Sequence, residues 1–277
     1  MKVEQRDESV IIRMIIERNI KWEQAVLLMS DLHWDHPWAD RAGIKAALDQ
    51  ALERNAPILI NGDALCLMQG PGDRRATAGF RLPEHDRPDY IDAVIDTFCE
   101  FMKPYKHLIA LYGAGNHETS ITKHHGTSPH RRICEKLDIP RGGYHGYALF
   151  RFEQKGGGFR RTKRLYYHHG MGNGGKQSGA SLVLRNMRQS ADADIYWAGH
   201  THYSESTPTR VTRCTDAGVM ISGEQLSIST PSWKDEWLQA GGWAIERGMG
   251  PKPIGAYWLK FNFRKERGIL FRSEEVI

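Results

Sequence analysis

The chain has 277 residues, of which 40% are hydrophobic and 26% charged, and this suffices for one substantial buried core. Its 38 Lys and Arg residues exceed its 33 Asp and Glu residues, and the net charge of +5 favours anionic partners. We expect neither a transmembrane helix nor a signal peptide, because no run reaches the roughly 18 apolar residues of a membrane span and charged residues interrupt the first apolar segment. Four scattered cysteines without a C-x-x-C pair predict reduced thiols in the cytoplasm.

The first predicted element is an amphipathic helix near the N-terminus. Apolar residues recur there at helical spacing, at Val10, Ile11, Met14 and Ile15. We therefore expect residues 1–24 to form a helical extension of a single domain that spans residues 1–277.

Further along the chain, apolar periodicity predicts alternating strands and helices. Helices are expected over residues 41–54 and 90–101, each lying between two short apolar runs that are typical of buried strands. From Thr207 onward, short apolar runs broken by Gly, Pro and Ser predict strands, which would form the second part of a sandwich.

Five short polar segments each follow an apolar run, at the point where a buried strand is expected to end. Active sites of α/β folds collect at that edge of the sheet, so the five segments are expected to lie together. They are Asp31-Leu32-His33, Gly62-Asp63, Gly115-Asn116-His117-Glu118, His168-His169-Gly170 and Gly199-His200-Thr201-His202.

The residue types in these segments fit a two-metal centre that hydrolyses phosphoesters. Such a hydrolase needs a hydroxide at neutral pH and positive charge on the phosphoryl oxygens, and two divalent ions roughly 3.5 to 4 Å apart supply both. Asp63 is the natural bridging carboxylate. The remaining candidates are Asp31, His33 and His202 for one ion, and Asn116, His200 and either His168 or His169 for the other. Oxygen and imidazole ligands suit manganese, iron, zinc, cobalt or nickel.

In this order, D-x-H, GD, GNH, H and GHxH resemble the calcineurin-like metallophosphoesterase superfamily. The resemblance extends from Asp31 to His202 and implies an α/β fold, a β-sandwich flanked by helices in four α/β/β/α layers. It implies the ligands named above and two divalent ions, with manganese the expected metal. It also implies that His117 protonates the leaving oxygen or stabilises the transition state. Relatives often place Gly after the single histidine of the fourth motif, which favours His169 over His168.

Two loops carry candidate substrate contacts. Arg74 and Arg75 lie in the loop 66–88, and they are expected to bind a phosphate in a bidentate manner. Lys176 ends a glycine-rich segment that comes close to a nucleotide-binding P-loop, but Gln177 stands where that motif needs Ser or Thr. An NTPase is therefore rejected, and Lys176 is expected to contact a phosphate.

The basic residues of 160–164 follow three glycines between two apolar stretches, and this pattern predicts a hairpin with a charged tip. The tip is either a nucleic-acid contact or a solvated turn.

The favoured function is a phosphodiesterase that acts on nucleotides or nucleic acid. A phosphomonoesterase, including a Ser/Thr protein phosphatase, and a non-catalytic scaffold are the alternatives. The segments PSWKDEW and AIERGMGPKPIGAYWLKF resemble phosphoesterases of phage or prophage origin, which also favours nucleic-acid metabolism.

Overall fold

The computed structural model describes residues 2–7, 9–17, 22–70, 73, 76, 80–172, 177–237, 243–246 and 248–276. The strands over these residues are Lys2–Arg6 (β1), Ser9–Ile16 (β2), Glu23–Met29 (β3), Ile58–Asn61 (β4), Ile109–Gly113 (β5), His145–Gln154 (β6), Arg160–His168 (β7), Ile195–Ala198 (β8), Glu205–Cys214 (β9), Met220–Ser229 (β10), Ala256–Arg264 (β11) and Gly268–Val276 (β12). The α-helices are Arg41–Glu53 (α1), Tyr90–Met102 (α2), Asn116–His125 (α3), Pro129–Leu137 (α4), Gln177–Ser190 (α5) and Trp243–Glu246 (α6), and short 3-10 helices cover Pro83–His85 and Lys103–Leu108.

The strands form two sheets that pack face to face. One sheet has the order β1-β2-β6-β7-β8-β10-β9 and the other has the order β12-β11-β3-β4-β5. Strands β3, β4 and β5 are parallel to one another, as are β7, β8 and β10. Aromatic side chains fill the space between the sheets, where Phe261 of β11 lies 4.8 Å from Phe150 and 5.0 Å from Phe152 between ring centroids.

Helices cover the outer face of each sheet. Buried residues of α1, α2 and α4 pack with those of β4 and β5 in one apolar cluster. Residues of α5, including Leu184 and Met187, pack on Tyr196 of β8 at the other face. This arrangement confirms the predicted sandwich flanked by helices. Among the described residues, no helix is long and apolar enough to cross a membrane.

The predicted N-terminal helix is wrong, because that segment forms the antiparallel strands β1 and β2. Strand β2 then pairs with β6, placing Ile12 opposite Phe150. Val10, Ile12, Met14 and Ile16 alternate along β2 and are all buried. An apolar, β-branched run of this kind fits a strand with a period of two as well as it fits a helical face, and sheet pairing decides between them.

The other predicted elements are confirmed within a few residues. Helices α1 and α2 occupy the segments where periodicity placed them, and the last third of the chain forms strands β9 to β12. The glycines at 156–158 turn the chain between β6 and β7 with positive φ angles, as the hairpin prediction requires. That residues 1–277 form a single domain stays a prediction.

Candidate metal centre

The five polar segments converge at one edge of the sandwich because they follow strands whose carboxyl ends meet there. Asp31 and His33 follow β3, Asp63 follows β4, and Asn116 begins α3 after β5. From the other sheet, His169 follows β7, and His200 and His202 follow β8. Convergence of these candidates is therefore a consequence of parallel pairing within each sheet and of the packing of one sheet on the other.

A first group of donors consists of Asp31, His33 and His202, whose ligand atoms lie within 4.8 Å of one another. His202 Nε2 is 3.3 Å from His33 Nε2 and 3.4 Å from Asp31 Oδ1. Asp31 Oδ1 is buried and accepts no hydrogen bond in the described part of the chain. Because a buried carboxylate oxygen without a donor is costly, this atom fits a cation ligand.

A second group consists of Asp63, His169 and His200, again within 4.8 Å of one another. His169 Nε2 lies 3.1 Å from Asp63 Oδ2 and 3.1 Å from Asn116 Oδ1. His200 Nε2 donates to the carbonyl oxygen of Gly172 at 2.8 Å, which leaves Nδ1 as its ligand atom.

The two histidines of the fourth segment differ in environment. His169 is fully buried, and its Nδ1 donates to the Asn61 carbonyl oxygen at 2.7 Å, so that Nε2 faces Asp63. A metal-binding imidazole is commonly oriented by this kind of backbone hydrogen bond from its other nitrogen. By contrast, His168 is only partly buried, and its Nδ1 accepts from the Gly170 amide. We therefore propose His169 as the ligand.

His117 lies beside the bridging candidate. Its backbone amide donates to Asp63 Oδ1 at 2.9 Å, and its Nε2 is 3.8 Å from Asp63 Oδ2. The ring is held by Nδ1, which donates to the Cys66 carbonyl oxygen at 2.6 Å. This contact directs Nε2 into the cluster, where it can transfer a proton to a leaving oxygen.

The electrostatics keep the Asp63 carboxylate ionised. Burial raises the pKa of Asp63, but the charges of His169 and His117 outweigh burial and hold that pKa well below its ordinary value. Burial lowers the pKa of His169, whereas contact with Asp63 raises it to about 10. Burial holds the pKa of His33 well below its ordinary value, so this imidazole keeps a lone pair. Cation binding would therefore displace a proton from His169.

The backbone is strained at five of the candidate residues. The φ angles are positive at Asp31 (52°), His33 (47°), Asp63 (48°), His200 (67°) and His202 (60°). Left-handed conformations are uncommon for residues with a side chain, and each costs of order 1 to 3 kcal/mol. Such a concentration of strain in one place is typical of a functional site.

Two glycines let the strand ends approach one another. A Cβ atom at Gly62 would lie 2.6 Å from the Gly115 amide nitrogen and 2.6 Å from His169 Nδ1. A Cβ atom at Gly115 would overlap the Asp63 carboxylate. The glycines of the GD and GNH segments are thus required by close packing between the segments.

Three acidic residues to which the sequence assigned no role hold the donors, or the loop beside them, in position. Glu118 accepts from the amides of Asp63, Leu65 and Gly115 at 3.0 to 3.2 Å. Glu236 lies 3.6 Å from His202 Nδ1 and is held by an ion pair with Lys234 at 2.9 Å. Asp35 binds the loop that follows Asp63. Glu118 belongs to a recognised segment, but the contacts of Glu236 and Asp35 have no local signal in the sequence.

The predicted substrate contacts Arg74, Arg75 and Lys176 lie outside the described residues. They stay predictions. The basic stretch of 160–164 is described, and it begins at the end of β7 opposite to His168. Eight residues of strand place Arg160 about 26 Å from His168 along the chain.

With this geometry in place, comparison with known proteins identifies the family. A family model described as calcineurin-like phosphoesterase matches residues 25–204, well over half of the chain. The chain belongs to the calcineurin-like phosphoesterase family. It is a metal-dependent phosphoric ester hydrolase, and its candidate metal-binding groups fall within the matched range.

Several solved structures are also similar. A metallophosphoesterase from Sphaerobacter thermophilus shares 13% identity with a TM-score of 0.38, covering 92% of this chain and 89% of that one. GAP50, the anchor in the inner membrane complex of Plasmodium, shares 10% identity with a TM-score of 0.43, covering 92% and 85%. A conserved uncharacterized protein of Streptococcus pneumoniae TIGR4 shares 11% identity with a TM-score of 0.36, covering 92% and 98%. No curated protein matches the sequence.

Proposed function

We propose that this enzyme hydrolyses phosphodiester bonds of nucleotides or nucleic acid with two divalent ions, manganese being the favoured metal. The observation that carries the proposal is the pair of donor groups, Asp31, His33 and His202 on one side and Asp63, His169 and His200 on the other. When bound, two divalent ions supply a hydroxide nucleophile at neutral pH and neutralise charge on the phosphoryl oxygens. The donors fit manganese because they are carboxylate, amide and imidazole groups.

The chain's own residues supply the remaining steps. The backbone amide of His117 fixes one oxygen of Asp63, and the amide of His200 fixes Asp31 Oδ2 at 2.9 Å. Both carboxylates are thereby oriented before substrate binds. His117 Nε2, directed by the Cys66 carbonyl oxygen, donates a proton to the departing alkoxide. A diester with an alcohol leaving group depends on this proton transfer.

Aromatic residues beside the centre support a nucleotide substrate. The amide of His36 donates to the His33 carbonyl oxygen, which places the following loop next to the first donor group. Ring centroids of His36, Trp38 and Phe80 lie 5.1 to 5.6 Å apart, and Trp38 and Phe80 are half-buried. Partly accessible aromatic faces of this kind stack on bases of any sequence.

The far end of the basic stretch of 160–164 would serve only a long substrate. At about 26 Å from the centre along β7, Arg160 is beyond the reach of a mononucleotide. The positive charge of the stretch 160–164 is also partly balanced, because Arg160 pairs with Glu153 at 3.4 Å and Lys163 pairs with Asp194 at 3.8 Å. A polynucleotide is therefore the substrate for which Arg160 can matter.

The reaction class is tested with bis(p-nitrophenyl) phosphate and p-nitrophenyl phosphate, each assayed with several divalent metals. We expect faster turnover of the diester. Asp63→Asn should lose metal and activity together, whereas His117→Ala should keep both ions and lose mainly turnover. Preference for the monoester would instead favour a phosphomonoesterase or protein phosphatase. No hydrolysis by metal-loaded protein would favour a non-catalytic scaffold.

The substrate class is tested by the salt dependence of binding. Replacing Arg160, Arg161, Lys163 and Arg164 with Ala should weaken polynucleotide binding and flatten its dependence on salt, because fewer counterions are released. Turnover of the small diester should remain unchanged. Undetectable DNA and RNA binding at low salt would leave nucleotides as the substrate.

A further inference from the structure

A third group of possible ligands lies against the metal centre and contains a thiol. The ligand atoms of His33, Cys66 and His117 all lie within 4.8 Å of one another. Cys66 and His33 are 2% and 1% exposed, and the ring centroids of His33 and His117 are 4.9 Å apart. Neither hydrolytic donor group contains sulfur, so this third group differs from them in chemical character.

The backbone of Cys66 is held in position by contacts of the loop that carries it. Asp35 accepts from the amides of Cys66 and Leu67 at 2.5 and 2.8 Å, and Leu67 has a positive φ of 53°. The Cys66 carbonyl oxygen in turn accepts from His117 Nδ1, so Nε2 is the atom of that ring that can bind a cation once it has given up its proton. The backbone contacts therefore fix Cys66 and His117 relative to each other.

His33 belongs to both the first hydrolytic group and the thiol group. Its Nε2 faces His202, while its Nδ1 is buried without a hydrogen bond in the described part of the chain. A cation bound with His33 and Cys66 would disturb the ligand set that His33 forms with Asp31 and His202. It would also engage His117, the proton donor of the proposed reaction.

We propose that His33, Cys66 and His117 form an inhibitory site for a thiophilic divalent cation such as Zn²⁺ or Cd²⁺. One thiolate and two imidazoles form a softer set than the oxygen-rich groups suited to manganese, and three protein ligands with an open fourth position are common for zinc. Binding forms a metal–sulfur bond, and the thiol proton passes to solvent. The site itself stands apart from the proposed function, whereas its inhibitory effect rests on that function.

The site is tested by adding Co²⁺ to the metal-free protein and recording its absorption spectrum. Thiolate ligation gives a sulfur-to-cobalt charge-transfer band in the near ultraviolet, which oxygen and imidazole ligands do not give. We expect the band in the parent protein and in Cys99→Ser, and its loss in Cys66→Ser. Cys99 is the matched control because it is an equally buried thiol, in helix α2, and it belongs to none of the ligand groups found among the described residues. No band in the parent protein, or a band that persists in Cys66→Ser, overturns the site.

A second measurement, on the parent protein, tests the thiol site without relying on any variant. Cadmium NMR of the Cd²⁺-loaded protein should show a resonance in the range of thiolate ligation. Only resonances typical of oxygen and nitrogen ligands would overturn the proposal.

Inhibition is tested by adding Zn²⁺ to the manganese-loaded enzyme during hydrolysis of bis(p-nitrophenyl) phosphate. Relative to each variant's own rate, Cys66→Ser should need about tenfold more Zn²⁺, or more, for half-inhibition than the parent and Cys99→Ser, because one ligand is lost. Equal sensitivity in all three proteins overturns the inhibitory role. A parent protein without hydrolytic activity would instead contradict the proposed function, and the cobalt band would still report the site.

Discussion

Replacement of Asp35 tests whether buried hydrogen bonds hold the loop beside the metal centre. Its carboxylate is 2% exposed and accepts from the amides of Cys66 and Leu67 and from the Tyr90 hydroxyl at 2.5 to 2.8 Å. In Asp35→Ala, all three buried donors lose their acceptor. Each unsatisfied donor costs about 1 to 3 kcal/mol, and since the loop can relax we expect a total loss of about 3 to 6 kcal/mol in the free energy of unfolding.

The measurement is urea unfolding at neutral pH, with Asp40→Ala as the matched control. Asp40 also accepts a backbone hydrogen bond, from Gly43 at 2.8 Å, but it caps α1 at the surface. Loss of such a cap costs about 1 kcal/mol. If Asp35→Ala is no more destabilising than Asp40→Ala, the reasoning about the buried loop is refuted.

The same loop connects Asp35 to the reaction through Cys66 and His117. Asp35→Asn keeps the size of the side chain and one acceptor oxygen, so the fold should survive while the Cys66 carbonyl oxygen shifts. We expect kcat to fall and the metal content to stay the same, because the candidate metal ligands are unchanged. Loss of metal in Asp35→Asn would show that the loop instead supports the donor groups.

Three further predictions follow from the site and its surroundings. His169→Ala should weaken binding of one ion in metal titrations, whereas His168→Ala should be milder, and an ion 2.0 to 2.3 Å from a His168 nitrogen would reverse the assignment. Glu236→Gln should weaken metal binding at the His202 side about 10- to 100-fold by calorimetry, and unchanged affinity would contradict its role. Burial lowers the pKa of His130 to about 4, so the unfolded chain takes up that proton first as the pH falls. The free energy of unfolding should therefore fall by about 3 kcal/mol between pH 6.5 and 4. Urea unfolding at the two pH values measures this fall, which should be smaller in His130→Gln.

The donor segments could be predicted because their signals are local. An apolar strand that ends two residues before Asp31 or Asp63 places the carboxylate beside the strand end, independently of the rest of the fold. The spacing of apolar residues in α1 and α2 is equally local. Both patterns can be recognised without knowing which sheet each strand joins.

The missed features depend on contacts between distant parts of the chain. Glu236 reaches His202 across 34 residues, and it lies beyond the range that the family model matches. Strand β2 is a strand because β6 is available to pair with it, and Ile12 alone cannot reveal that partner. Local sequence therefore identified the candidate donors and left open most of the groups that orient them.

The D-x-H and H-x-H spacings have a common backbone explanation. Asp31 and His33 both adopt left-handed conformations, with one residue between them, and so do His200 and His202. The same local turn thus presents two candidate ligands from each sheet, and His202 meets Asp31 and His33 across the sandwich. Because strain of about 1 to 3 kcal/mol per residue is stored in these turns, the folded chain must recover it through contacts that the unfolded chain lacks. Divalent cations that bind only the folded state supply such contacts, adding about 2.7 kcal/mol at one hundred times their dissociation constant.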